Sequence, residues 1–237
     1  MSTRAPESSL CPFRLLLPDD VAIAQADREE HWDRGLMPEE RALVERAVAK
    51  RQREFTAGRN CARTAMRTLG LSEKDLGAIG VGRHREPLFP SGVIGSITHT
   101  DDFCAAAMSR TGGAIASLGI DVDANTALDA ALVPMVMQPD EMAVWQEAVP
   151  TTCHAAILAF SIKEAFFKAF FPLCQCYLEF GDARLVPTSS GTGADGIGRV
   201  TLTVPDRRLA ALLDGLRIDG RYTFDALRVY SAVTLLR

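Results

Sequence analysis

The sequence predicts an α+β fold built as two similar halves that meet near residue 115. Three observations predict it. Helical and strand-like stretches follow one another as helical region, strands, helical region, strands, which is segregation and not the regular alternation of an α/β chain. No G-x-G-x-x-G opens a helix, so a doubly wound sheet is not indicated. Two apolar runs, Phe103 to Met108 and Ala114 to Asp123, flank Thr111-Gly112-Gly113, the pattern of an antiparallel hairpin. No internal repeat accompanies this two-part order.

Taken in order, Pro12 to Pro18 encloses a short apolar run, read as an edge strand or tether. Pro38-Glu39-Glu40 opens a helical region, with proline at the first position and two acids where the helix dipole favours them. That region runs to Leu69-Gly70, with Gly70 as C-cap and a break near Thr56-Ala57-Gly58. Arg83 to Gly92 is a proline-bounded loop that feeds a strand over Val93 to Thr100. After the Gly-Gly turn, Leu118, Ile120 and Val122 alternate with Gly119, Asp121 and Asp123, so the two aspartates share a face about 7 Å apart. Ala127 to Val149 reads as two short helices separated by Gln138-Pro139-Asp140, with Trp145 as an apolar anchor. Phe180 to Val186, Val200 to Val204 and Phe224 to Leu236 read as strands, and Pro187 to Arg199 as a flexible hairpin loop rich in Gly, Ser and Thr.

Between them lies the stretch on which the chemistry turns, a helix from about Thr151 that Pro172 is expected to stop. At 3.6 residues per turn Ser161, Glu164 and Lys168 line one stripe, while Phe160, Ile162, Phe166, Phe167, Phe170 and Phe171 cover most of the rest. A carboxylate against so apolar a surface needs a cation or strong donors. Lys168, one turn on, can be that partner, and an intrahelical pair is the plainest reading of this stripe alone.

The 237 residues are 47% hydrophobic and 24% charged with a formal charge of −4, enough for one large or two small cores. A net acidic chain argues against general nucleic-acid or membrane-surface binding. The six cysteines include no C-x-x-C and are read as reduced thiols. No secretory signal or membrane span is recognised, so a cytoplasmic location is expected.

Against that acidic background, the helical region from Pro38 carries eight basic residues, among them Arg51, Arg59, Arg63 and Arg67. Arg59, Arg63 and Arg67 recur every four residues; they form either a solvated face or a seat for phosphate, whose oxygens the guanidinium fork suits. Arg85 follows in the proline-bounded loop, and Ser96, Thr98 and His99 end the next strand with further donors. By itself Asp121-Val122-Asp123 reads as well as a surface turn, and His99 as a structural residue. Taken together, Asp121, Asp123 and Glu164 are three oxygen donors suited to Mg²⁺ completed by phosphate oxygens and water, and no zinc-type spacing is present. The economical reading is a Mg²⁺-bound pyrophosphate ligand bearing a further phosphate.

Five ordered motifs then resemble those of the Sfp-type 4'-phosphopantetheinyl transferases, in the bacterial branch linked to siderophore, polyketide and nonribosomal peptide synthesis. They are Gly58-Arg59-Asn60-Cys61-Ala62-Arg63, Arg85 to Gly92, Gly95-Ser96-Ile97-Thr98-His99, Gly119-Ile120-Asp121-Val122-Asp123, and Phe160 to Lys168. The match covers roughly residues 40 to 185; Asp123 departs from it, being commonly Glu in the family.

The resemblance implies two α+β halves in pseudo-twofold arrangement, residues 1–115 with an arginine-rich phosphate region and 116–237 with the carboxylates and catalytic helix, with coenzyme A between them. It implies transfer of the phosphopantetheine of coenzyme A to a serine of an acyl, peptidyl or aryl carrier protein, releasing adenosine 3',5'-bisphosphate, by a monomer. Carried over by position, Asp121, Asp123 and Glu164 bind Mg²⁺. Arg51, Arg59, Arg85, Thr98 and His99 hold the nucleotide phosphates, with His99 on the 3'-phosphate, and Lys163 and Lys168 hold the pyrophosphate side. Glu164 is the expected base and Lys168 the stabiliser of the leaving oxygen. The rival readings are a Mg²⁺-dependent hydrolase of the coenzyme A pyrophosphate and a non-catalytic coenzyme A or carrier-binding module.

Overall fold

A computed structural model describes residues 11–27, 32, 35–190 and 196–237. The first ten residues, His31, and positions 191–195 of the expected loop lie outside these. The N-terminal half is an antiparallel three-stranded sheet in the order β1 (Ala22–Asp27), β5 (Phe103–Arg110), β4 (Val93–His99), with one long helix across it. Two short strands, β2 (Gly80–Val81) and β3 (Pro87–Leu88), pair with each other in the loop that precedes β4. The long helix, α3 (Ala49–Thr68), follows the shorter α2 (Pro38–Val44). Its Ala57, Cys61, Ala65 and Met66 are buried in one cluster with Cys104, Ala106 and Met108 of β5.

The expected break at Thr56-Ala57-Gly58 is not there, and the chain breaks instead between Val44 and Ala49. Gly58 serves packing: a Cβ on it would come 2.8 Å from Ile97 Cγ2, so the helix rests closely on β4. Gly70 does end the region, with φ of +79° just beyond the C-cap.

Pro12 to Pro18 holds the short helix α1 (Phe13–Leu16) and no strand. Phe13 and Leu16, three apart, bury the same face against Phe103 and Tyr230, a spacing a strand would split.

The C-terminal half is an antiparallel five-stranded sheet in the order β6 (Ile115–Ala124), β10 (Arg228–Leu236), β9 (Arg217–Phe224), β8 (Gly198–Thr203), β7 (Arg184–Ser190). Of the expected last strand from Phe224 to Leu236, Arg228–Leu236 forms β10, while Phe224 ends β9, a strand the sequence did not suggest; between them the chain turns at Asp225, whose carboxylate accepts from the Leu227 and Arg228 N–H groups. The expected strand from Phe180 begins as a 3-10 turn, Phe180–Asp182, before β7. Two short helices, α4 (Val133–Val136) and α5 (Pro139–Ala148), do span the predicted region, and Trp145 is fully buried.

The long helix α6 (Ala155–Cys174) crosses β6 and β10. It starts later than Thr151 and runs through Pro172, ending at Gln175 with φ of 54°. Proline in the last turn gives up only its own N–H, whose partner would be Lys168 O, and the helix still closes with the Gln175 N–H on Phe171 O at 2.8 Å.

The predicted hairpin of β5 with β6 does not form. β5 pairs along one edge with β1 and along the other with β4, so neither edge is free, and β6 passes into the second sheet beside β10. Two hydroxyls instead stitch β4 to β6: Ser96 Oγ accepts from Ile120 N and Thr98 Oγ1 from Val122 N, both at 3.1 Å. All six cysteines are free thiols. Among the described residues no helix is long and apolar enough to cross a membrane.

Candidate active site

β6 has the predicted alternation. Leu118, Ile120 and Val122 enter the core between the halves, and Gly119 and Asp121 face α6. A Cβ at Gly119 would lie 1.9 Å from Ala165 O and 2.7 Å from Ala169 N, so only glycine lets the helix backbone come this near. That closeness brings Lys168 Nζ to 2.6 Å from Asp121 Oδ1 and 3.3 Å from Ile120 O. The partner of Lys168 is therefore Asp121, across the helix–sheet contact, and not the Glu164 of an intrahelical pair.

Two neighbouring cavities share this region. The first, about 520 Å³, is lined by Arg51, Arg59, Arg85, His99, Glu164 and Lys168, with Phe167, Phe171 and Leu88 on its apolar side. The second, about 580 Å³, is lined by His99, Asp121, Asp123 and Glu164. Glu164 and His99 border both. Burial pushes the Glu164 carboxyl above the usual carboxylate range; Lys168 opposes the rise, and the charges of Asp121 and Asp123 add to it. Burial, and next the charge of Asp121, push Asp123 up to about 6. Three carboxylates answered by one lysine gather negative charge, which raises Glu164 and Asp123, and their all-oxygen chemistry suits a hard divalent cation. Among the described residues they are not gathered into a closed metal-binding group, so such a cation would draw its remaining ligands from substrate oxygens or water.

Arg59 is largely buried, stacks 4.1 Å over the Phe55 ring and donates to Ile79 O at 3.0 Å, yet still borders the first cavity. Burial lowers its pKa to about 10, which leaves it a cation at neutral pH. The rest of the predicted arginine face has other work. Arg63 pairs with buried Glu40 at 2.6 Å, and Arg67 with Glu73 at the surface. Arg85 reaches the cavity from a loop with φ of 70°, a conformation rare for a residue with a side chain.

Two expected ligands are not brought to the cavity of the arginines. Lys163 is buried against α4 and the 3-10 turn, where Nζ donates to Val136 O at 2.7 Å and Phe180 O at 2.9 Å and lies 3.6 Å from Glu141 Oε1. The step of about 100° per residue from Glu164 carries it into the C-terminal core. Thr98 is 2% exposed. Its hydroxyl accepts from Val122 N and donates to Asp121 Oδ1 at 3.2 Å, so its proton is already used and it orients a carboxylate. Sequence reading also passed over Glu54, which borders both cavities beside Arg51 and His99. Its only signal was its place three residues after Arg51 and four after Lys50, a spacing common to exposed helix pairs.

A helix carrying Glu164 and Lys168 over a strand carrying Asp121 and Asp123, facing an arginine-lined cleft, has the chemistry to take phosphate groups. The chain belongs to the 4'-phosphopantetheinyl transferase superfamily. Its residues 39–109 match the family's N-terminal domain and residues 117–201 the superfamily's own model. It is 40% identical over 189 residues to the 4'-phosphopantetheinyl transferase Svp of Streptomyces mobaraensis, spanning 78% of this chain and 71% of that protein. To Npt of Nocardia iowensis, likewise a 4'-phosphopantetheinyl transferase, it is 33% identical over 210 residues, 87% of this chain and 92% of that one. Enterobactin synthase component D of Salmonella typhimurium is 35% identical over 128 residues, about half of each chain. The chain is thus an enzyme that transfers the phosphopantetheine of coenzyme A to carrier proteins.

Proposed function

We propose that the two cavities are the two sides of one reaction centre, and the observation that carries this reading is Glu164, which borders both. Arg51, Arg59, Arg85 and His99 hold the nucleotide phosphates of coenzyme A, His99 at the 3'-phosphate, since guanidinium groups match phosphate oxygens. Asp121, Asp123 and Glu164 would hold Mg²⁺, which when bound offsets charge on the pyrophosphate.

The carrier serine Oγ attacks the β-phosphorus and gives its proton to Glu164. The bond from that phosphorus to the bridging oxygen breaks, and adenosine 3',5'-bisphosphate leaves. A carboxylate made more basic by burial is suited to take that proton. Lys168, already at the cavity wall, steadies the departing oxygen. Thr98 sets Asp121, and Lys163 ties α4 and the 3-10 turn to α6. The halves divide near residue 115, which agrees with the interval between the two family matches and with the passage from one sheet to the other. The protein acts as a cytoplasmic monomer on acyl, peptidyl or aryl carrier domains.

The test is the intact mass of an apo carrier protein after incubation with the enzyme, coenzyme A and Mg²⁺, beside a carrier Ser→Ala control. A gain of one phosphopantetheine, absent from the control and after chelation, supports the reading. Coenzyme A cleaved without carrier gain would point to the hydrolase.

A further inference from the structure

Glu54 is an anomaly in a phosphate pocket. It lies in α3, 8% exposed, on the wall of the cavity that Arg51, Arg59, Arg85 and His99 also line. A carboxylate there repels an incoming phosphate, so bare electrostatics would place a neutral residue at this position. Its neighbours account for it. Glu54 Oε2 is 3.6 Å from Arg51 Nη1 and 3.8 Å from His99 Nδ1, and Oε1 is 4.0 Å from Lys50 Nζ.

Arg51 Nη1 in turn is 3.0 Å from His99 Nε2. A guanidinium only donates, so Nε2 accepts and the ring proton sits on Nδ1, the nitrogen that faces Glu54. The three side chains form a closed set: the carboxylate faces both the guanidinium and the Nδ1–H, and the guanidinium closes onto Nε2. Lys50 is drawn outward to Asp101 and leaves Glu54 to the other two.

Resting on the reading of this cavity as the coenzyme A phosphate seat, we propose that Glu54 is a positioning residue for the 3'-phosphate. It holds the tilt of His99 and the reach of Arg51 before the ligand arrives, and it touches no substrate atom itself. At 3.8 Å the Glu54 carboxylate acts on the Nδ1–H by charge, favouring the ring orientation in which Nε2 accepts from Arg51. In a cleft where both rings and chains have room to turn, that restraint replaces an ordering cost otherwise met at binding.

The experiment compares wild type with Glu54→Gln, close in shape and uncharged, using coenzyme A and 3'-dephospho-coenzyme A in the carrier-loading assay. Positioning predicts that KM for coenzyme A rises about tenfold with kcat nearly unchanged, the loss of one charge-assisted contact. It also predicts that Glu54→Gln and wild type handle the dephospho substrate alike. A lower KM for coenzyme A in Glu54→Gln overturns the proposal, because it shows Glu54 acting only as a repelling charge. An equal loss with both substrates overturns it as well, since a general structural defect does not single out one phosphate. In a His99→Ala background, adding Glu54→Gln should bring a smaller loss than in wild type, the part that acts through Arg51; a full additive loss would overturn the coupling.

The ¹⁵N shifts of the His99 ring in the ligand-free protein read the same contact without any substrate. A changed Nδ1 shift in Glu54→Gln, with Nε2 still accepting from Arg51, supports the orientation, and an unchanged Nδ1 shift overturns it. If wild type takes both substrates equally well, the phosphate assignment of the cavity falls and with it the proposed role, while the ring shifts still report on the contact between Glu54 and His99.

Discussion

Lys168 Nζ stands 2.6 Å from Asp121 Oδ1, a contact that ties α6 to the aspartate strand β6. Asp121 is nearly buried there and Lys168 is partly open to the cleft. A cation placed between a carboxylate and the arginine-lined cavity can serve either, and it cannot be replaced by an apolar chain of equal length. Lys168→Met is expected to lower kcat by about 100-fold, in line with loss of one charge-stabilising group in other active sites, with a smaller change in KM for coenzyme A. Steady-state loading of a carrier protein measures both.

The contact depends on Gly119. Because an added methyl would overlap backbone atoms of α6, nothing flexible can move aside. Gly119→Ala is expected to lower stability by about 3 kcal/mol, at the upper end of overpacking costs, and to remove activity by separating Lys168 from Asp121. Urea denaturation measures the first and carrier loading the second. A fully active, fully stable Ala variant would mean that β6 and α6 are less tightly apposed than described.

Lys163 provides the contrast. Its ammonium is spent on two carbonyls and Glu141, and burial lowers its pKa while Glu141 opposes that shift. Lys163→Met is expected to destabilise the fold by about 3 kcal/mol, as for a broken buried pair, and to leave KM for coenzyme A near the wild-type value. A large rise in KM with unchanged melting temperature would restore Lys163 to the pyrophosphate.

Arg85 sits at φ of 70° on the cavity wall. Glycine adopts that conformation without the penalty of about 1–2 kcal/mol that a side chain incurs. Arg85→Gly should therefore raise the melting temperature slightly while it weakens coenzyme A binding, two opposite shifts read by thermal denaturation and calorimetry.

His99 carries a pH dependence. Burial lowers its pKa; Glu54 opposes this most, Arg51 and Lys168 add to the lowering, and Asp121 opposes it. A histidine held below its ordinary value of about 6.5 binds its proton more readily when unfolded, so its contribution to stability is complete above that value. The contribution is lost as pH falls through the lowered pKa. Denaturation midpoints followed from pH 8 to pH 5 should fall more steeply in wild type than in His99→Asn. Equal slopes would show that His99 is not held neutral by its surroundings.

Much of this site is written in local pattern. The period of two in Leu118 to Asp123 put both aspartates on one face, and the period of 3.6 put Glu164 and Lys168 on one stripe, because side-chain direction follows from backbone geometry alone. What such periods leave open is which neighbour each face meets. Arg59 and Arg63 share a helix face, yet one borders the cleft and the other pairs with Glu40, a residue of the preceding helix that no pattern ties to it. The failed hairpin has the same origin. Phe103 to Asp123 carries good turn chemistry, but β1 and β4 occupy both edges of β5, and competition among strands for an edge is decided by the whole chain.

By itself, then, the sequence determined the α+β class, the helix of Glu164 and Lys168, and the family. These rest on composition, residue order and backbone periodicity, all local to the chain. Only the tertiary structure decided that Lys168 meets Asp121, that Thr98 and Lys163 spend their polar groups inside the fold, and that Glu54 faces His99. Each of those outcomes depends on a donor and an acceptor far apart in sequence arriving within a few ångströms, and such distances are set by how helices and sheets pack.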